Sequence, residues 1–253
     1  MSVKPPEKVQ PIQATEKFSF DCGPEVPCFT ECCRALELVL TPYDALRLRH
    51  RLGLDSATFL ERYAAIEGQP DEAFPLVYLS MLEDERQRCP FVGADGCAVY
   101  EDRPAACRAY PVGRGLRMTP CRSHLQELFV LVREEHCQGF AEPREITPEK
   151  WMADQELEPY NTFSEAMLPL LRHPIILQGW QPTPEQQQEY LHTLYQPEYF
   201  RQRVAGGEIS PPAQTGIDRH NVAELDDYQL LLAAIKWLPT TWPGHKSDGR
   251  LDK

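Results

Sequence analysis

The sequence predicts an α+β protein that is mostly α, with a cysteine-rich N-terminal part holding a small antiparallel sheet and a helical C-terminal part. Three observations support this. All nine cysteines fall at or before residue 137 of the 253 residues. Threonine–proline helix starts recur along the chain. The short β-branched and aromatic runs are confined to its first 132 residues. A chain of this length buries a sizeable core without any staple. The expected organisation is a flexible tail over 1–18, a cysteine-cluster domain over 19–140, a helical region over 141–244 and a second tail over 245–253.

Taken in order, Thr41-Pro42-Tyr43-Asp44 places an N-cap threonine before a proline suited to the first helical position. Asp44 then sits where a capping-box side chain reaches back. This helix runs to about residue 52 and stops at Gly53, and Asp55 or Ser56 caps a second helix reaching about residue 66. The runs 76–81 and 125–132 have the composition of strands, the latter also compatible with a helix. Thr147-Pro148 and Thr183-Pro184 open further helices, with Gln186 in the box position of the second. Helices are expected at about 148–156, 162–172, 184–203 and 224–238, the last with an apolar stripe of Tyr228, Leu231, Leu232, Ile235 and Leu238. Gly206-Gly207 and Pro211-Pro212 mark a loop before it.

The formal net charge is −12, which disfavours nucleic-acid binding because phosphate contacts need basic surface. The charge is uneven. Arginines 86, 88, 103, 108, 114, 117 and 122 face only Asp95, Glu101 and Asp102, so that window is +4 and the remainder −16. Either the arginines surround an anionic centre or they form an ordinary surface patch. The polar N-terminus has no run like a secretory signal, and no stretch approaches the roughly 18 apolar residues of a membrane span. A soluble, cytoplasmic protein without membrane contact is expected.

Seven cysteines form two groups: Cys22, Cys28, Cys32 and Cys33, then Cys89, Cys97 and Cys107, with Cys121 and Cys137 following singly. Thiols this dense in a cytosolic chain usually hold metal. Cys32 and Cys33 are better read as ligands than as a bridge, since a disulfide between sequence neighbours closes a strained small ring. No paired C-x2-C knuckle of a zinc finger occurs. The loose spacing suits an iron–sulfur cluster or a zinc site assembled from distant segments, and thiolate softness excludes calcium and magnesium. His124 and His136 lie near Cys121 and Cys137 as candidate additional ligands. Arg103 and Arg108 would offset the negative charge of a thiolate-bound cluster and raise its reduction potential, or else form ordinary ion pairs. Tyr100 and Tyr110 read as packing residues with a hydroxyl hydrogen bond.

Phe20-Asp21-Cys22, Cys32-Cys33, Thr41, Cys89-Pro90-Phe91, Cys97, Tyr100, Arg103-Pro104, Cys107-Arg108 and Tyr110-Pro111 occur in the order of a known pattern. Over residues 18–113 the chain resembles the YkgJ-like CxxCxxCC family, a zinc- or iron-chelating domain. The Arg-Pro-x-x-Cys-Arg-x-Tyr-Pro run is its most specific part. The first cluster departs from the family, its spacings stretched to five and three residues. The resemblance implies zinc or iron chelation. Members are often labelled iron–sulfur oxidoreductases, and the signature also appears in flagellin lysine N-methylases that use S-adenosylmethionine.

The leading expectation is a metal-binding protein holding an iron–sulfur cluster, 4Fe-4S before other types, or zinc, with a possible redox link. A second is an S-adenosylmethionine-dependent protein-lysine methyltransferase-like enzyme, with Glu156, Glu158 or Asp227 attracting substrate, although no motif supports these residues. A third is a zinc-stabilised module whose helical half binds a protein partner. The sequence contains no phosphate loop, dinucleotide fingerprint, nucleophile elbow or zincin helix that would assign an enzyme class.

Overall fold

The computed structural model describes residues 8–69, 72–118 and 125–243. It is 43% helix and 16% strand, with every strand pairing antiparallel, so the mostly helical α+β class holds. Strands β1 (Val9–Ile12) and β2 (Phe18–Ser19) precede α1 (Pro42–Leu52), α2 (Ser56–Tyr63), β3 (Ala64–Glu67) and β4 (Leu76–Leu79). The hairpin of β5 (Val92–Gly93) and β6 (Gly96–Cys97) leads through α3 (Ala105–Ala109) to β7 (Val112–Met118) and β8 (Leu125–Val132). After β9 (Glu145–Ile146) the chain is helical: α4 (Pro148–Asp154), α5 (Glu158–Leu171), α6 (Pro174–Leu177), α7 (Pro184–Tyr195), α8 (Pro197–Ala205) and α9 (Asp227–Trp237).

Two units divide these elements, each discontinuous in sequence: Met1–Leu36 with Met81–Pro159, and Glu37–Ser80 with Tyr160–Lys253. Every described cysteine belongs to the first unit. Its sheet runs in the order β1-β8-β7, and its core gathers Ile12, Phe18, Phe20, Val112, Phe129, Leu131, Ile146 and Trp151. Residues 125–132 are strand rather than helix, because burial alternates: Phe129 and Leu131 face the core while Leu128 is exposed.

Two strands of this sheet were not expected. Val9–Ile12 lies inside the stretch whose polar composition reads as a tail, yet it pairs with β8 from Val9↔Val132 to Ile12↔Phe129. Pro11 is tolerated there because β1 is an edge strand with one side unpaired in the sheet. In β7, Gly113, Arg114, Gly115 and Arg117 interrupt the apolar alternation that would have marked it.

In the second unit the threonine caps act as read. Thr41 and Asp44 form a reciprocal capping box, as do Thr183 and Gln186, and Gly53 closes α1 at a φ of 65°. The second helix stops at Tyr63, short of residue 66, because 64–67 pairs with β4. The helix expected over 184–203 is two helices, broken where Pro197 lacks an N–H and forces Gln196 out of helical geometry. Tyr43 stacks on Phe163 at 4.2 Å and Phe74 on Tyr190 at 4.4 Å. The α9 stripe is buried through Leu231, Ile235 and Leu238, and Leu230, Ala233 and Ala234 widen it. Asp227, at the start of α9, is grasped by Arg49, by Arg201 at 2.9 Å and by His50 at 3.0 Å. Among the described residues no helix is long and apolar enough to cross a membrane.

Candidate metal centre

Four stretches of the first unit carry seven of its thiols, and α3 carries Cys107. The first runs from Phe20 to Cys22. Phe20 is 1% exposed and meets Tyr110, Phe140 and Trp151 edge-on at 6.0, 5.1 and 5.3 Å. Its amide donates to the Arg144 carbonyl and that of Asp21 to the Gly139 carbonyl, extending the β2–β9 pairing to the threshold of Cys22. Gly139 is required for this approach: a Cβ there would stand 2.4 Å from the Asp21 carbonyl oxygen and 2.7 Å from the Phe20 ring. Cys137 lies two residues earlier, near enough for its charge to act on Cys22.

The second stretch folds as successive tight turns, with Val26 bonding back to Gly23, Phe29 to Val26, Glu31 to Cys28 and Cys33 to Thr30. Thr30 and Ala35 are left-handed, at φ 67° and 48°. The third stretch zips onto it: the Cys89 amide donates to the Cys33 carbonyl at 2.8 Å and the Ala35 amide to the Gln87 carbonyl at 2.9 Å. Phe29 lies against Gly96 in the β5–β6 turn, where a φ of +109° and a Phe29 contact of 3.1 Å to any added Cβ both favour glycine. Cys97 closes that hairpin opposite Val92. The fourth stretch carries Cys137, and the Gln138 amide donates to Cys28 Sγ at 3.1 Å.

No disulfide joins any of the eight described cysteines. Their charges act on one another in two overlapping sets: Cys22 feels Cys32, Cys28 and Cys137, whereas Cys33 feels Cys32, Cys89 and Cys107. Cys89 in turn feels Cys97 and Cys32. Burial, followed by this crowding, pushes the Cys22 thiol up to about 11. Burial likewise raises Cys89 and Cys97, the latter opposed by the Arg103 charge. The hydrogen bond between neighbours lowers Cys32 to about 7 and drives Cys33 upward. Crowded sulfurs that resist ionisation are what a thiophilic cation relieves, since its positive charge removes their mutual repulsion. The donor set therefore fits zinc or iron. As placed, no three or more histidine, cysteine, aspartate or glutamate side chains among the described residues stand close enough to hold one ion.

Other candidates are placed as follows. Cys121, His124 and Arg122 lie outside the described residues. His136 is exposed, and its charge acts on Glu31. Arg86 pairs with Glu31, Arg88 with Asp84 and Arg114 with Glu127, while Arg117 donates to Gln126. Arg103 donates to the Tyr100 carbonyl and Gln155 Oε1, both at 2.5 Å, and lies over the Tyr100 ring at 3.7 Å. Arg108, 3% exposed, donates to the Gln155 and Glu101 carbonyls, each at 2.7 Å. The Arg103 charge reaches Cys97. Tyr110 packs in the core, accepts from the Glu134 amide at 3.4 Å and bonds Cys137; burial, then that bond, raises its phenol. The roles of Gly139 and Gln155 carried no sequence signal, because both depend on contacts made only after folding.

The fold and its thiols define a soft-donor module built from separated loops. Residues 21–138 match the family model CxxCxxCC, described as a putative zinc- or iron-chelating domain. The match bears out the resemblance read from the motifs, extends it to Cys137, and supports metal binding by the cysteine cluster. No curated protein and no solved structure matches the chain.

Proposed function

We propose that this protein chelates a thiophilic metal through thiolates of Cys22, Cys28, Cys32, Cys33, Cys89, Cys97, Cys107 and Cys137, with Cys121 as a further donor. The carrying observation is the gathering of the eight described thiols, none of them in a disulfide, into one unit. Unbridged thiols in this number suit a reducing compartment, which supports a cytoplasmic location. An iron–sulfur cluster is the favoured occupant and zinc the alternative. A cluster would supply one-electron transfer; zinc would supply local folding energy. The residues themselves present sulfur, exclude hard cations by softness and, through the Arg103 charge, partly offset the burial that raises the Cys97 thiol.

Anaerobic purification followed by analysis for iron, acid-labile sulfide and zinc tests this. Iron with stoichiometric sulfide selects the cluster; colourless protein with one or two zinc ions selects zinc. Cys32→Ser and Cys107→Ser are each expected to lose most of the metal, and full occupancy in both variants would sink the ligand assignment.

A further inference from the structure

The segment between Cys97 and Cys107 is fastened to the end of α4 through Gln155. Tyr100–Asp102 forms a 3-10 turn, and α3, which holds Cys107, begins two residues after it. The carbonyls of Tyr100 and Glu101 point out of that turn and accept from Arg103 and Arg108 respectively. The other end of each guanidinium reaches Gln155, Arg103 through the side-chain oxygen and Arg108 through the main-chain carbonyl. Gln155 thus receives both arginines of the Arg-Pro-x-x-Cys-Arg run.

Gln155 is the C-cap of α4, and the chain beyond it makes a Schellman turn: the Glu156 amide donates to the Ala153 carbonyl and the Leu157 amide to the Met152 carbonyl. Glu156 occupies the left-handed position at φ 51°, where glycine is usual, and a non-glycine residue there carries strain. This reversal leaves the Gln155 carbonyl turned out of the helix and towards Arg108. Nearby, the Trp151 indole N–H donates to the Ala109 carbonyl at 2.8 Å and fixes the far end of α3. Gln155 lies beyond residues 21–138 and has no chemistry with metal.

We propose that Gln155 is a positioning residue, a clamp that holds the Cys97–Cys107 segment through Arg103 and Arg108 in the arrangement that presents both thiols to the metal. This rests on the chelating function proposed above. The test uses the full-length protein with Gln155→Leu, which removes the side-chain acceptor, and Gln155→Glu, which keeps it. Hydrogen exchange over residues 97–109 is measured with and without metal, and metal release to a chelator is timed.

Leu is expected to reduce amide protection over 97–109 while leaving β8 protected, and to speed release about tenfold, the scale of one lost hydrogen bond to a charged group. Glu is expected to restore both. Unchanged exchange and release in the Leu variant would overturn the proposal, as would a Glu variant impaired as badly as Leu. Wild-type protein that binds neither iron nor zinc would instead overturn the metal reading. In that case the exchange measurement alone still decides whether Gln155 clamps the segment.

Discussion

Gly139 decides how closely the Cys137 stretch approaches Cys22, and the reason is steric. The Asp21 carbonyl and the Phe20 ring occupy the space where any side chain would begin. Both obstacles belong to a buried segment tied into the core, so relief requires backbone movement rather than a rotamer change. Gly139→Ala is expected to cost about 1–3 kcal/mol, the usual range for overpacking, read as a lower urea midpoint. It should also separate Cys137 from Cys22 and reduce metal content. Wild-type stability and occupancy in this variant would show that the close approach does not matter. Nothing in the sequence distinguishes Gly139 from the other glycines, whereas Cys22, Cys33, Cys89 and Cys107 announced themselves by residue type and grouping alone.

Whole elements were legible where a local rule fixed them. Thr41 with Asp44 and Thr183 with Gln186 needed only their own four residues to define a helix start. Strands β1 and β7 were not legible, because their pairing with β8 is a long-range fact that Pro11, Gly113 and Gly115 locally obscure. Asp227, named above as a candidate substrate attractor, is instead engaged by Arg49, Arg201 and His50, an arrangement that locks the start of α9 to its neighbours. Burial pushes its carboxyl up, but His50, Arg49 and Arg201 outweigh that and hold it below the ordinary aspartate value. A depressed folded value contributes stability that is present above the unfolded pKa and lost as pH falls through the folded one. Asp227→Asn is therefore expected to cost about 2 kcal/mol at neutral pH, a fraction of what breaking a fully buried pair costs. The gap from wild type should narrow below about pH 4, where the unfolded carboxyl protonates. Helical circular dichroism in urea at the two pH values measures it, and an equal gap at both would contradict this role.

At the scale of the molecule, the first unit crowds buried thiols whose ionisation a bound cation would favour. Its thiols are drawn together by backbone hydrogen bonds and core packing, which cannot prevent the sulfurs from repelling once ionised. Burial and neighbouring thiols hold Cys22 near 11, and Cys33 and Cys89 are raised as well. In the metal-free protein these groups keep protons that the unfolded chain surrenders at about pH 9. The contribution of a raised group is complete below the unfolded value and disappears as pH climbs through the folded one. Cys32, lowered to about 7, behaves oppositely, but it is already ionised in the alkaline window and adds nothing further there. The metal-free protein, kept reduced, is thus expected to lose stability as pH rises above about 9, where the unfolded chain gives up protons that the folded thiols keep. Bound metal changes the sign: its ligands are thiolates at neutral pH, their protons displaced on loading, so alkali has little left to remove. Chelation should lower the urea midpoint at pH 7.5, and the loss should deepen steadily as pH is raised, while the loaded form holds nearly level. Parallel pH profiles for the two forms would mean that the crowded thiols are spectators and that the metal, if bound, sits elsewhere.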